Sequence, residues 1–291
     1  MIKIAVTGAS GFLGQHVLAA LTKANVDVVA NARTRRPELV VAERRRWVCF
    51  DLAAAPDDAF DRLGRPDAVI HLAWEGLPNY LSPRHFNVEL PAQHRFLRGL
   101  VASGLRMLAV AGTCLEYGMQ SGCLHENATP LPSNPYGLAK DALRRELESL
   151  SETIPFDLRW LRVFYLYGSG QPPSSLYAQF QAAVARGEPR FDMSLGEQLR
   201  DFMKAEDAAA AIVAVALATK APGIVNICSG APTSVRALVE RWRTEMATDI
   251  ELNLGALPYP ANEPFAFWGD NRRLSELVAQ SDVECARPHS L

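Results

Sequence analysis

Short apolar runs alternate along this chain with segments of helical period. The runs are IKIAVT (2–7), VDVVA (26–30), AVIHLA (68–73), MLAVAG (107–112), LRWLRVFYLY (158–167) and IVNIC (224–228). Largely continuous apolar runs of this length read as strands covered on both faces. Between them, 12–24, 88–103 and 136–152 place apolar residues three or four apart, as at Val17, Leu18 and Leu21 or at Leu143, Leu147 and Leu150. That spacing predicts amphipathic helices. Strands alternating with helices in this order predict an α/β fold built on a parallel, doubly wound sheet.

The texture changes after Gly168. GSGQPPSS is a loop rich in glycine, proline and serine, and the helices expected at 175–187 and 206–219 no longer alternate simply with strong strands. The organisation expected is a first domain over 1–167, to which 206–228 returns, and a smaller C-terminal lobe made of 168–205 and 229–291. The stretch LPYPANEPFAFWGDN (257–271) has no period and reads as an irregular segment packed on a cleft.

Composition narrows the partners. The 291 residues are 48% hydrophobic and 21% charged with a net charge of -2, so neither nucleic acid nor an anionic membrane would draw the protein electrostatically. No apolar run approaches the roughly 18 residues a membrane helix needs, and MIKIAVTGAS lacks the layout of a signal peptide. A cytoplasmic protein with no membrane and no nucleic-acid partner is expected. The five cysteines are scattered without a C-x-x-C, and the six histidines show no H-E-x-x-H, so no metal is expected. His71, inside AVIHLA, reads as a packed strand residue.

Two motifs carry chemistry. In TGASGFLG, Gly8, Gly11 and Gly14 stand between the first strand and the first helix, where glycines let backbone N–H groups approach a pyrophosphate. The tip of the second strand, VVANARTRR, offers Asn31, Arg33, Arg35 and Arg36 and no acid, while Asp27 lies too early in the strand. Arginine meets a 2′-phosphate and a carboxylate meets a 2′-hydroxyl, so NADP is expected, with NAD possible. The second motif, NPYGLAK (134–140), sets Tyr136 and Lys140 four apart, on one face of a helix. Alone, that pair reads first as an ordinary solvated helix face.

TGASGFLG, HLAW (71–74) and YGLAK, in that order, resemble the extended short-chain dehydrogenase/reductase family of nucleotide-sugar epimerases, dehydratases and reductases. The likeness continues in Asn87, TCLEYG (113–118), RVFYLYG (162–168), LRDFMKAEDAAAAI (199–212) and VNICSG (225–230), and covers nearly the whole chain. It implies a Rossmann-type fold with a smaller C-terminal substrate-binding lobe and a catalytic set of Thr113, Tyr136 and Lys140. Lys140 would lower the Tyr136 phenol toward working pH and hold the nicotinamide ribose, and Thr113 would fix the reacting oxygen. The implied cofactor contacts are Gly8, Ser10, Gly11, Phe12, Leu13, Gly14, Asn31, Arg33, Arg36, Asp51, Leu52, Leu72, Ala73, Trp74 and Asn87, with Tyr136 and Lys140. Thr113, Tyr165 and Arg200 are the implied substrate contacts, with Asp201 or Asp207 as rival partners for Arg200. Phe265, Phe267 and Trp268 are stacking candidates for a nucleotide base.

Departures from the family pattern select among its reactions. Dehydratases of the family place an acid pair directly after the catalytic threonine. Cys114 and Leu115 stand here instead, and Cys114 reads as packing. Tyr165 replaces the asparagine with which many 4-epimerases hold the substrate diphosphate. The expected activity is NAD(P)-dependent oxidoreduction at carbon 4 of a nucleotide-linked 6-deoxyhexose, such as a dTDP sugar for surface polysaccharide. The alternatives are a nucleotide-sugar 4-epimerase and a non-catalytic NADP-binding sensor. The family also implies a homodimer formed through 88–103 and 136–152.

Overall fold

The computed structural model describes residues 2–34, 45–219, 223–259 and 263–286, and side chains as far as 280. Its first half runs β1 (Lys3–Thr7), α1 (Phe12–Leu21), β2 (Asp27–Ala32), β3 (Arg45–Cys49), α2 (Ala59–Arg62), β4 (Ala68–His71), α3 (Leu90–Ala102), β5 (Met107–Thr113), β6 (Gly122–Leu124) and α4 (Pro135–Thr153). The second half runs β7 (Asp157–Val163), β8 (Tyr165–Tyr167), α5 (Leu176–Ala185), β9 (Arg190–Met193), β10 (Leu199–Lys204), α6 (Ala205–Leu217), β11 (Gly223–Ile227), β12 (Pro232–Ser234), α7 (Val235–Glu245), β13 (Glu251–Leu254), β14 (Phe267–Gly269) and α8 (Arg272–Ala286).

Seven of these strands form one parallel sheet in the order β11-β7-β5-β4-β1-β2-β3. The period of two along each strand sends neighbouring residues to opposite faces. Ile4 and Val6 of β1 therefore pack with Val17, Leu18 and Leu21 of α1 and with Ile212 of α6 and Leu274 of α8. Ala5, between them, joins Leu63, Leu97 and Leu100 with Leu143 and Leu147 of α4 on the other face. Covering both faces is what makes the strands read as continuous apolar runs. The chain proceeds from β1 outward to β2 and β3, then returns to place β4 on the other side of β1. A doubly wound sheet binds its ligands at such a reversal, beyond the carboxyl ends of the strands.

The run 158–167, expected as one strand, is two. β7 stays in the large sheet, and after Phe164 the chain leaves it, so that β8 pairs with β10 in a three-stranded sheet completed by β12. Tyr167, Phe180, Phe191, Met193, Leu238, Trp242 and Ile250 build a separate core beneath that smaller sheet and α5 and α7. Two short pairs, β9 with β13 and β6 with β14, join distant segments. Among the described residues no helix is long and apolar enough to cross a membrane.

Candidate active site

The end of β1 opens into the glycine turn. Gly8 has φ +69°, and a Cβ there would lie 2.7 Å from the Ala73 nitrogen, so only glycine lets this turn pass so close to the chain leaving β4. Gly11 caps α1 without any side-chain hydrogen bond, and Phe12, Leu13 and Gly14 form the first turn of that helix. A cleft of about 210 Å³ lies here, at the reversal of strand order.

Of the residues expected at the cofactor, Gly8, Ser10, Gly11, Asn31, Arg33, Asp51, Leu52, Leu72, Ala73 and Trp74 line that cleft together. Phe12, Leu13 and Gly14 stand beside it in α1, and Asn87 is exposed on the turn before α3, outside the lining. Arg35 and Arg36 lie outside the described residues. Asn31 is 2% exposed and gives its amide to the Phe50 carbonyl at 3.3 Å, which braces β2 against β3. Asp51 accepts from the Ala53 N–H at 2.9 Å. Glu75, Arg84, Glu89 and Gln93 also line the cleft. They come from the segment after β4 and from the start of α3, where no motif marked them.

The pocket fits a dinucleotide by its construction: a close glycine turn at a helix start, polar groups on the β2 and β4 sides, and an aromatic ring, Trp74, deeper in. Against Trp74 pack Tyr136 and Lys140. Asn134 caps α4 by accepting from the Gly137 N–H at 2.9 Å, and Pro135 occupies the first helical position, so Tyr136 and Lys140 fall in the first two turns. A Cβ on Gly137 would stand 2.6 Å from the Leu115 carbonyl oxygen. Its absence lets α4 rest directly on the turn Cys114–Tyr117 and brings Tyr136 close to Thr113.

Thr113 ends β5 and caps that turn, its hydroxyl accepting from the Leu115 N–H at 3.2 Å. Glu116 completes the capping box. Its fully buried carboxylate accepts the Thr113 N–H at 2.8 Å, the Arg162 Nε–H at 2.8 Å, and the Trp160 indole N–H at 2.9 and 3.0 Å from its two oxygens. Burial pushes this carboxyl up and Arg162 opposes the shift. TCLEYG therefore contains a positioning group that the sequence presented only as part of a motif.

The expectation that Lys140 lowers the Tyr136 phenol is corrected here. Tyr136 is 8% exposed, enclosed by Trp74, Tyr80 and His85 at ring-centre distances of 6.0, 5.6 and 5.2 Å. Burial pushes its phenol well above the ordinary range, Tyr80, Glu116 and Cys114 act in the same sense, and hydrogen bonding with Thr113 opposes them. The Lys140 ammonium donates to the Ala111 carbonyl at 2.8 Å and lies 3.9 Å above the Trp74 ring. Burial brings its pKa down to about 7. Phenol and amine are each held toward their neutral forms.

His71 ends β4 fully buried, its Nδ1 2.8 Å from the Thr7 hydroxyl, and burial pushes it down to about 3. Cys114 packs with Tyr117, Phe164 and Phe267, and burial pushes its thiol up. Arg200 is paired, but with neither rival named above: Glu263 Oε2 accepts from it at 3.0 and 3.3 Å. Asp201 is instead committed to the N–H groups of Ser229, Gly230 and Gly269. The Arg200 guanidinium also stands 4.9 Å over the Phe267 ring and 5.9 Å over that of Tyr165. Phe267 is core, whereas Phe265 is 54% exposed and set edge-on to Tyr259.

The comparisons with known proteins agree with this geometry. A dTDP-6-deoxy-L-talose 4-dehydrogenase (NAD(+)) of Aggregatibacter actinomycetemcomitans is 28% identical over 92% of this chain and 99% of its own length. A dTDP-6-deoxy-L-talose 4-dehydrogenase (NAD(P)(+)) of Kitasatospora kifunensis is also 28% identical, over 86% of this chain and 81% of its own. The solved structure of MoeE5 in complex with UDP-glucuronic acid and NAD superposes with a TM-score of 0.80 at 26% identity, covering 96% of this chain and 93% of that one. The model of the NAD dependent epimerase/dehydratase family matches residues 4–228, and the chain belongs to that family.

Proposed function

We propose that this protein is an NAD(P)-dependent oxidoreductase acting at carbon 4 of a nucleotide-linked 6-deoxyhexose, reducing the 4-keto sugar or oxidising the corresponding alcohol. A dTDP sugar for surface polysaccharide, handled in the cytoplasm, is the substrate class. The observation that carries this is Tyr136, buried against Trp74 of the cleft wall with Thr113 nearby and its phenol held toward the neutral form by burial. A phenol held neutral is a proton donor, which is what a ketone becoming an alcohol requires. The nicotinamide, when bound, supplies or accepts the hydride at carbon 4. Tyr136 gives the proton to the sugar oxygen, Thr113 orients that oxygen, and Lys140 holds the ribose side of the cofactor. The two dTDP-6-deoxy-L-talose 4-dehydrogenases support the same substrate class.

NADP is the preferred cofactor and NAD is also accepted, with Gly8, Gly11 and Gly14 at the pyrophosphate and Arg33 at the 2′-phosphate. Arg200 and Tyr165 take the substrate diphosphate, with Phe265 near the base. Residues 1–167 and 206–228 form the cofactor domain, and 168–205 and 229–291 form the substrate lobe. The protein works as a homodimer through the outer faces of α3 and α4. An open groove of about 660 Å³ lined by Phe86, Leu90, Pro91, His94 and Glu146 supports that surface.

A panel of dTDP-, GDP-, UDP- and CDP-linked sugars in keto and hydroxy forms, read at the nicotinamide absorbance, tests the assignment. One 4-keto sugar nucleotide should oxidise NADPH stoichiometrically, and Tyr136→Phe should slow that reaction about 10²- to 10⁴-fold while retaining cofactor binding. Interconversion of two sugars without net absorbance change would identify a 4-epimerase instead.

A further inference from the structure

We infer that Glu75 sets the balance between NADP and NAD by competing with a cofactor 2′-phosphate for Arg33, an inference that rests on the cofactor site proposed above. Arg33 follows β2 and Glu75 follows β4, and these strands flank β1. The ion pair between the two side chains therefore bridges the end of β1, within the cleft that both residues line.

This pair is held from behind. Glu75 Oε2 accepts from Arg84 Nη2 at 2.8 Å, and the same nitrogen reaches Glu89 Oε1 at 3.2 Å. Glu89 Oε2 accepts the Glu75 backbone N–H and the Gln93 amide, each at 3.2 Å. The Glu89 side chain is 5% exposed, so the chain of contacts is rooted in the protein interior. Glu75 is thereby fixed between two arginines on the wall of the cleft.

A 2′-phosphate carries more charge than a carboxylate and matches the guanidinium fork. To reach Arg33 it must displace Glu75, and the displaced carboxylate remains nearby as a like charge held by Arg84. A cofactor ending in a 2′-hydroxyl meets no such repulsion, and a carboxylate is the group a dinucleotide site uses to accept from that hydroxyl. The β2 tip among the described residues carries no acid; Glu75, 42 positions beyond Arg33 in the sequence, brings one into the same cleft. Arg33 alone would favour NADP strictly. Arg33 with Glu75 makes a site that takes both.

The test is fluorescence titration of NADPH and NADH into the unaltered protein, Glu75→Gln, Arg33→Gln and the double variant, at low and high salt, with thermal midpoints as the folding control. Glu75→Gln should tighten NADPH about tenfold and weaken NADH by a smaller factor, the NADPH gain disappearing in the double variant and shrinking at high salt. If Arg33→Gln weakens NADPH while Glu75→Gln leaves it unchanged, the role of Glu75 is overturned and the Arg33 site stands. If Arg33→Gln leaves NADPH unchanged, the assignment of the 2′-phosphate to Arg33 falls, and the role of Glu75 with it.

Discussion

The Lys140 ammonium stands 3.9 Å above the Trp74 indole, whereas the ring centre of Tyr136 is 6.0 Å away. Cation–π contact and the Ala111 carbonyl hold the ammonium in place, yet burial still brings its pKa to about 7. The protein tolerates an unfavourable buried amine here.

A pH-dependent stability follows. A lysine whose folded pKa is lowered binds fewer protons folded than unfolded between about 7 and the ordinary 10.5, so its penalty is full below pH 7 and is relieved as pH rises through that interval. Lys140→Met should therefore raise the melting temperature at pH 6.5, by roughly 2–4 °C for each kcal/mol gained, with little gain at pH 10. Thermal unfolding of both proteins at the two pH values checks this. An equal gain at both would show that the amine is not penalised by burial.

Glu116 predicts a different failure. Glu116→Ala leaves Arg162, fully buried, without its carboxylate, and removal of one partner from such a pair destabilises by about 3–5 kcal/mol. Denaturant titration measures it directly. Gly112→Ala attacks the same arrangement more gently, because its Cβ would fall 2.6 Å from Glu116 Oε1 and 2.2 Å from the Trp160 indole nitrogen. Overpacking of about 1–3 kcal/mol is expected. Since the displaced carboxylate holds the Thr113 N–H, kcat should fall in Gly112→Ala while NADPH affinity is kept.

Much of this was legible in the chain, and the exceptions share a cause. The strands buried on both faces announced themselves by continuous apolar runs, and TGASGFLG and YGLAK placed the turn and the helix that carries Tyr136 and Lys140. β3 escaped because RRWVC is a half-buried edge strand with no apolar run. The break at Phe164 escaped because β7 and β8 are both apolar and differ only in which sheet they join. Glu75 with Arg33, and Arg200 with Glu263, are partners 42 and 63 residues apart, and no local period reports such a meeting. The phenol's environment was misjudged for a related reason: residue spacing places Lys140 near Tyr136 but does not show where its ammonium points.

Arg200 should act on binding more than on chemistry. It is 4% exposed at its side chain and its charge is met by Glu263, so a diphosphate engages it only by displacing that carboxylate, and then meets a guanidinium already oriented. Arg200→Gln is expected to raise KM for the sugar nucleotide about ten- to a hundredfold with a smaller change in kcat. Steady-state kinetics over a range of sugar-nucleotide concentrations separates the two. A fall confined to kcat would place Arg200 away from the diphosphate.

The most direct test of the proposed activity is a single turnover with NADPH deuterated at the transferable position and a 4-keto dTDP-6-deoxyhexose. The proposed reaction delivers deuterium to carbon 4 of the alcohol product and leaves one equivalent of NADP. A sugar product without deuterium at carbon 4, formed while the nicotinamide remains reduced, would contradict it.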